Sequence, residues 1–236
     1  LTIRVDCLMP TLPARDALRQ RAIASFTQQA VPEDWQVSLS IDADTEKTLG
    51  EKINRMVERS RADFFVLMDD DDWHSRTRVF EQVSPLAFGR DSAQFSDASL
   101  KYPDFTGTSL LYYFDARSNE AHLYRGDGDW LGGLAFKRAV WERCKFQPTT
   151  HGVDYLWQRH SRGKKLDLAN PRLFVAGLHA NNTCPKCVTG HNWSKFPVAG
   201  LPAEFLSDLN ESRFAIGGLI EEGLYLVGEG SCCPHA

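Results

Sequence analysis

Residues 63–73 read DFFVLMDDDDW. The run FFVLM is almost unbroken in its hydrophobicity, as expected of a strand buried on both faces of a parallel sheet. Four carboxylates follow at once, Asp69, Asp70, Asp71 and Asp72, and then Trp73. In open α/β sheets, ligands bind beyond the carboxyl ends of the strands. Adjacent carboxylates repel: at about 5 Å each close pair costs about 3 kcal/mol at an effective dielectric near 20. A solvated loop tip tolerates that repulsion. Between a buried strand and a tryptophan, a cation is the better solution, and carboxylate oxygens suit Mg2+ or Mn2+. A divalent ion held there is suited to a diphosphate, whose charge it neutralises as the group leaves.

Upstream of this stretch the pattern is strand, helix, strand, helix. Residues 2–9 (TIRVDCLM) predict a strand ending at Pro10. Thr11 and Pro13 suit a helix start, and Leu18, Ala22 and Phe26 recur at helical spacing. Residues 36–42 (QVSLSID) alternate as a second strand, Asp44-Thr45 reads as a cap, and Leu49, Ile53 and Met56 mark the next helix face. The first 70 residues therefore predict a doubly wound α/β arrangement. Downstream the character changes. Residues 108–125 predict a hairpin turning near Ser118-Asn119, Gly132-Gly133 opens a short strand into Lys137, and helices are expected near 138–144 and 153–162. A strand near 172–178 precedes His179, and the tail mixes a short helix with glycine-rich connections. No repeat or linker interrupts the chain. The expectation is one domain over 1–236, an α/β half over 1–100 and a mixed α+β half over 101–236.

Composition removes several classes. A formal net charge of −4 is unlike a strongly basic nucleic-acid binder. Two local basic clusters, Arg76–Arg78 and Arg159–Arg162–Lys164–Lys165, remain candidates for tracking phosphates. No apolar run approaches the roughly 18 residues of a membrane span. The N-terminal LTIRVDCLMPTLPAR does not read as a secretion signal. With no such signal, the cysteines are expected as reduced thiols in a cytoplasm. Cys184 and Cys187 in CPKC have zinc-knuckle spacing, and His191, Cys232, Cys233 and His235 are available to complete a site. One CxxC is a weak zinc signal without a second spaced pair.

Taken in order, MPTLPAR (9–15), SIDAD (40–44), EKIN (51–54), FFVLMDDDDW (64–73), GGLAFKRAVWE (132–142) and GVDYLW (152–157) resemble the family 2 glycosyltransferases of the GT-A fold. The resemblance covers roughly residues 2–180. It implies a Rossmann-like, mostly parallel sheet flanked by helices, and transfer of a hexose from a nucleotide-diphosphate sugar, usually of uridine, to a hydroxyl acceptor. It places Pro10, Thr11 and Arg15 in the loop bordering the nucleotide, Asp42 against the base, and Lys52 and Asn54 along the nucleotide pocket. Asp69 and Asp71 match the D-x-D signature, Asp71 as the metal contact and Asp69 nearer the ribose or the metal, with Asp70 beside them on the donor side. Gly132 and Gly133 match the acceptor-side loop under the donor sugar, and Asp154 the base of inverting members. The family's acidic pair at that base is incomplete, because Val153 takes the first place.

The chemistry fits these parts. A hydroxyl is a poor nucleophile and needs a base within hydrogen-bond reach. His179 is a candidate third metal ligand, since imidazole suits Mn2+. Trp130, in GDGDWLGG, is a candidate for stacking on a sugar or base. The acceptor is expected to be a glycan or another hydroxyl, with a hydroxymethylated base in DNA as a minority class. The rival enzyme reading is a haloacid-dehalogenase-type phosphatase, from the resemblance of VSLSIDADTEKT to a D-x-D-x-T nucleophile loop. The short interval between Asp44 and Asp70 speaks against it. A nucleotidyltransferase would carry a glycine-rich loop after the first strand, which MPTLPAR lacks. A non-catalytic nucleotide- or carbohydrate-binding module is the third class.

Overall fold

The computed structural model describes residues 2–89, 102–179, 182 and 188–210. Strand β1 (Ile3–Pro10) runs parallel to β2 (Trp35–Asp42) on one side and β3 (Phe64–Leu67) on the other, with Cys7 opposite both Leu39 and Val66. Every β1 residue except Arg4 is buried, while β2, at the sheet edge, buries only Trp35 and Asp42. The continuous and the alternating apolar patterns thus correspond to central and edge positions. Helix α1 (Asp16–Thr27) follows a 3-10 turn over Pro13–Arg15, and α2 (Leu49–Arg59) packs Ile53, Met56 and Val57 into the core. The strand from 2–9 extends through Pro10, whose missing N–H costs nothing at a strand end.

The cap of α2 is Thr48 rather than Asp44-Thr45. Thr48 accepts from the Glu51 amide and Glu51 accepts from the Thr48 amide, a capping box. Asp44 and Thr45 lie in the turn before it. Gly50, in the first turn, lets this helix start sit against the chain at Gln147. A Cβ there would lie 1.8 Å from the Gln147 carbonyl oxygen. The Gly50 amide also donates to the Thr149 carbonyl at 3.0 Å.

Beyond β3 the chain crosses between two sheets. Residues 68–72 lead from the first sheet into β4 (Trp73–His74), which pairs antiparallel with the strand carrying Phe174 and Val175 in the second. Between 74 and 107 the sequence predicts no element. Helix α3 (Arg78–Phe88) lies there, with Pro85 inside it obscuring the helical pattern. Strand β5 (Phe105–Thr108) is followed by the hairpin of β6 (Leu110–Asp115) and β7 (Glu120–Arg125), whose turn holds Asn119 at φ 52°. Then come β8 (Gly132–Lys137), α4 (Arg138–Arg143), α5 (Val153–Ser161), β9 (Lys165–Asp167), β10 (Phe174–Leu178), β11 (Trp193–Phe196) and α6 (Ala203–Asn210). The first sheet has the order β2-β1-β3-β8-β5-β9, and β8 is antiparallel to both its neighbours. The second has the order β11-β7-β6-β10-β4. Among the described residues no helix is long and apolar enough to cross a membrane.

Trp73 is a fixed point rather than part of a loose turn. It is buried, donates its indole N–H to Asp208 of α6 at 2.8 Å and meets Phe205 edge-on.

Because Gly50 is pressed against backbone, Gly50→Ala forces the α2 start away from the 147–149 segment. We expect a loss of about 1–3 kcal/mol, the usual cost of overpacking, read as a lower midpoint in thermal or urea unfolding. An unchanged midpoint would show that this contact carries no strain.

Candidate active site

The four aspartates leave β3 at the carboxyl ends of the parallel strands and point in four directions. Asp70 turns inward and accepts hydrogen bonds from the Thr11 hydroxyl and from Arg15 at 2.9 Å. Asp72 accepts the Gly177 amide at 3.1 Å. Asp71 Oδ2 lies 3.1 Å from His179 Nε2, 3.3 Å from Asn182 Nδ2 and 3.5 Å from Arg15 Nη1. Asp69 is the exposed member of the four and lines the cleft. Asp70 and Asp72 therefore tie the loop to β1 and β10, and Asp69 and Asp71 face the space beyond the sheet. Gly177 keeps β10 close to this loop, since a Cβ there would lie 2.5 Å from the Asp71 carbonyl oxygen.

The electrostatics follow the geometry. Burial, reinforced by Asp71, pushes the Asp69 carboxyl up to about 7. Burial and then Asp71 and Asp69 hold Asp72 well above the usual carboxylate range, and burial raises Asp70 less. For Asp71 burial acts in the same direction but is outweighed by the His179 hydrogen bond and Arg15, so its carboxyl is held down. Three of the four aspartates thus resist ionisation in a cleft without added positive charge.

Behind the loop lies a buried cation. Arg78 is 1% exposed, donates to Leu67 O at 2.5 Å and Gln82 Oε1 at 3.0 Å, and stacks over the Phe174 ring at 4.6 Å. It also donates to Nδ1 of His74, so the His74 proton sits on Nε2 and is shared with the Asp69 carbonyl at 3.1 Å. Burial, with Arg78 adding to it, keeps His74 neutral. Arg78 is therefore not the surface phosphate-tracking residue that its cluster with Arg76 suggested. Of the other basic cluster, Arg159 donates to the Tyr155 hydroxyl and Lys165 to the Gly128 carbonyl.

The cleft measures about 470 Å³. Pro10, Arg15, Leu49 and Ile53 form one side, the acid loop its back, and Tyr113, Tyr124, Trp130, Phe174 and Trp193 an aromatic far wall. Gly132 and Gly133 lie low between them. Gly133 has φ 63°, and a Cβ on it would come within 2.3 Å of the Phe174 ring. Asp154 enters from the first turn of α5, whose N-cap Gly152 has φ 61°. It accepts from the Trp130 indole N–H at 2.7 Å and from the Tyr155 amide at 2.9 Å. Asp154 is close enough to Asp69 for their charges to repel.

Three candidates on the nucleotide side are already engaged within the fold. Asp42 is gripped by the Arg55 guanidinium through Nε at 2.7 Å and Nη2, which holds its carboxyl down against the effect of burial. Arg55 also reaches Asp44 at 2.7 Å, and nothing in the sequence pattern singled it out. Lys52 is buried and donates to the Thr11 carbonyl at 2.7 Å, shaping the loop after β1 from behind. Asn54 turns away from the cleft. Its carbonyl accepts from Trp141 at 2.8 Å and the Phe146 amide at 3.0 Å, and its amide donates to the Phe146 carbonyl at 2.9 Å. Thr11, Asp42, Lys52 and Asn54 are not among the residues lining the cleft, and His179 lines a smaller adjoining cavity behind Asp71. Asn182, next to Asp71, is a site residue that the sequence did not flag, since a lone Asn after a strand carries no pattern. Cys184, Cys187, Cys232, Cys233 and His235 lie outside the described residues. His191 is exposed.

No protein-family model matches this chain, and no curated protein matches it in sequence. Solved structures do match it in shape. The mannosyltransferase PcManGT from Pyrobaculum calidifontis, in complex with GDP-Man and Mn2+, superposes with a TM-score of 0.54 at 13% identity, over 78% of this chain and 59% of that one. Residues 1-349 of S. aureus TarS in complex with UDP-GlcNAc give a TM-score of 0.55 at 10% identity, over 77% and 60%. The UDP complex of the same TarS fragment gives 0.52 at 9%, over 74% and 60%. This is the GT-A glycosyltransferase fold. The chain spans about three-fifths of the length of these GT-A structures.

Asn54 makes three side-chain hydrogen bonds, all to the 141–146 segment. Asn54→Ala leaves the Trp141 indole and both Phe146 backbone groups without that partner, and about 1–3 kcal/mol of stability is expected to be lost. Nucleoside diphosphate affinity, measured by calorimetry on the folded variant, is expected to stay at the wild-type level. A selective loss of affinity with normal stability would return Asn54 to the pocket.

Proposed function

We propose that the protein transfers a sugar from a nucleotide-diphosphate donor, most simply a UDP-sugar, to a neutral glycan hydroxyl, with inversion. The observation that carries this reading is the opposition of two carboxylate groups across one cleft: Asp69 and Asp71 at the mouth of the parallel strands, Asp154 on α5 facing them. The GT-A shape, and the nucleotide sugars bound by PcManGT and TarS, support the donor class. In this reading residues 1–100 supply the donor half of the site and residues 101–236 the acceptor half.

The fold implies a divalent cation, and the donor chemistry fits one. Among the described residues no three acidic, histidine or cysteine side chains form a ready-made cage. Mg2+ and similar ions are commonly held by one or two carboxylates together with substrate phosphates. Asp71 and His179, in contact at 3.1 Å, offer a hard oxygen and an imidazole nitrogen, and Asp69 a second carboxylate burdened by burial and its neighbours. Asp71 and His179, with Asp69 as a further carboxylate, would hold Mn2+ or Mg2+ in company with the donor's phosphate oxygens. The bound ion would supply charge neutralisation for the diphosphate as it departs.

The remaining steps belong to the chain's own groups. Pro10, Thr11 and Arg15 border the diphosphate side, with Arg15 already directed at Asp70 and Asp71. Asp42, held by Arg55, marks the base end, where Arg55 itself is a second candidate contact. Gly132 and Gly133 leave room for the sugar. Asp154 takes the acceptor hydroxyl proton while the acceptor oxygen bonds to the anomeric carbon. The bond from that carbon to the diphosphate oxygen breaks, and its electron pair leaves with the diphosphate.

The far wall favours a neutral, ring-bearing acceptor. It is aromatic, and among the described residues the one arginine or lysine lining the cleft is Arg15, on the donor side. Among those residues a DNA backbone would find no counter-charge on the far wall. The phosphatase reading requires Asp42 as a free nucleophile, but its carboxylate is held by Arg55.

Asp71→Ala is expected to abolish transfer and to weaken nucleoside diphosphate binding only when Mn2+ is present. Full activity of the variant, or of wild type stripped by chelator, would refute the metal role. Asp154→Asn keeps shape and removes the base, so kcat is expected to fall about 10²–10⁴-fold, with donor affinity and melting temperature unchanged. Normal turnover would place the base elsewhere.

A further inference from the structure

Asp154 is held in an unusual way for a carboxylate in an acidic cleft: neither of its hydrogen-bond partners is a cation. Trp130 Nε1 donates to Oδ2 at 2.7 Å and the Tyr155 amide to Oδ1 at 2.9 Å. Among the described residues, Asp69 from the acid loop and Tyr113 from β6 interact with its charge, and Asp71, Asp72, His151 and Tyr155 line the same cleft. One helical turn on, Gln158 is buried and clasps the residue after Trp130. Its carbonyl accepts the Leu131 amide at 3.0 Å and its amide donates to the Leu131 carbonyl at 2.8 Å. Residues four apart on a helix share a face, so Asp154 and Gln158 grip the 130–131 segment side by side. The Trp130 ring is seated by Tyr124, edge-on at 6.2 Å, and lies close to Gly132, where a Cβ would meet Leu111 at 2.8 Å and the Trp130 ring at 3.2 Å.

We infer that Trp130 is the positioning residue of Asp154, with Gln158 as the clasp that fixes it. The inference rests on the reading of Asp154 as the general base. A guanidinium or ammonium at hydrogen-bond distance stabilises a carboxylate's charge strongly and so makes it a poorer proton acceptor. A neutral indole N–H fixes the direction of the carboxylate at a smaller cost to proton affinity. The arrangement also joins the acceptor wall to the base: a ring lining the cleft and the group that would deprotonate the acceptor move together. In the sequence Trp130 reads as a stacking or packing aromatic, and the hydrogen bond across 24 residues to Asp154 has no local signature.

The test uses Mn2+-dependent turnover of UDP-GlcNAc and GDP-mannose with water as acceptor, together with calorimetric affinity for UDP and GDP and the melting temperature. Trp130→Phe keeps a ring and removes the N–H. We expect kcat to fall about ten- to a hundred-fold, the range for a hydrogen bond to a charged group, with KM and nucleoside diphosphate affinity within about two-fold of wild type, because the bond orients the base and does not touch the donor. In the Asp154→Asn background the same change is expected to have no further effect, because coupled residues are not additive. If Trp130→Phe folds poorly, benzothienylalanine at position 130 replaces the N–H by sulfur and keeps the ring shape. Wild-type kcat in either variant, or an equal loss in the Asp154→Asn background, overturns the inference and leaves the transferase reading standing. A wild-type protein that turns over neither donor overturns both.

Discussion

Between Leu67 and Trp73 the chain leaves one sheet and enters the other, and in that span it carries four carboxyl groups. The rest of the site is arranged around keeping them apart and compensated. Thr11 and Arg15 take Asp70, the Gly177 amide takes Asp72, and His179, Asn182 and Arg15 converge on Asp71. From behind, Arg78 supplies a fully desolvated positive charge and, through neutral His74, orients the Asp69 carbonyl. Burying a cation without a salt bridge is expensive. Here the hydrogen bonds to Leu67, Gln82 and His74, the Phe174 face and the nearby carboxylates offset that cost. Asp69 is left least compensated and opens onto the cleft.

The same compensation links the two ends of the site. Arg78 binds Gln82, Gln82 donates to the Gly133 carbonyl, and Phe174 under Arg78 packs where a side chain at Gly133 would be. The backbone at Gly133 is thus set by residues that also stabilise the acid loop. A substitution at Arg78, Gln82 or Phe174 touches both ends. On the far side, α5 presents Asp154 and Gln158 to the 130–131 segment, so Asp154 and the aromatic wall form a second unit. In the proposed reaction a donor at the first unit and an acceptor on the second would meet across Gly132 and Gly133.

Much of this was legible in the sequence where the signal is local and periodic. The alternation of β2, the unbroken run of β3, the spacing of Ile53 and Met56 and the hairpin turn at Asn119 all follow from burial pattern and turn chemistry. The acid run was visible as a site, but not the four directions its members take, because those depend on Thr11, Arg15, Gly177 and His179 from distant segments. Two-residue β4 and three-residue β9 are too short to show a period, and Pro85 masks α3. Arg78 has the composition of a surface residue and the burial of a core residue. Asn54 reads as a polar helix residue of the nucleotide side, yet its side chain is spent on Phe146 and Trp141. In each case the missing information is a partner far along the chain. Asp154 illustrates the same limit: it is marked by GVDYLW, while the tryptophan that holds it lies in another motif.

The central claim is that the acid loop and a nucleotide diphosphate share one divalent ion. Calorimetric titration of UDP and GDP into the protein, with and without Mn2+, and of Mn2+ with and without the nucleotide, measures that linkage directly. A shared ion predicts reciprocal coupling, each ligand tightening the other by the same factor and by about ten-fold or more. Equal nucleotide affinity in the presence and absence of Mn2+, or Mn2+ binding indifferent to nucleotide, would contradict the account.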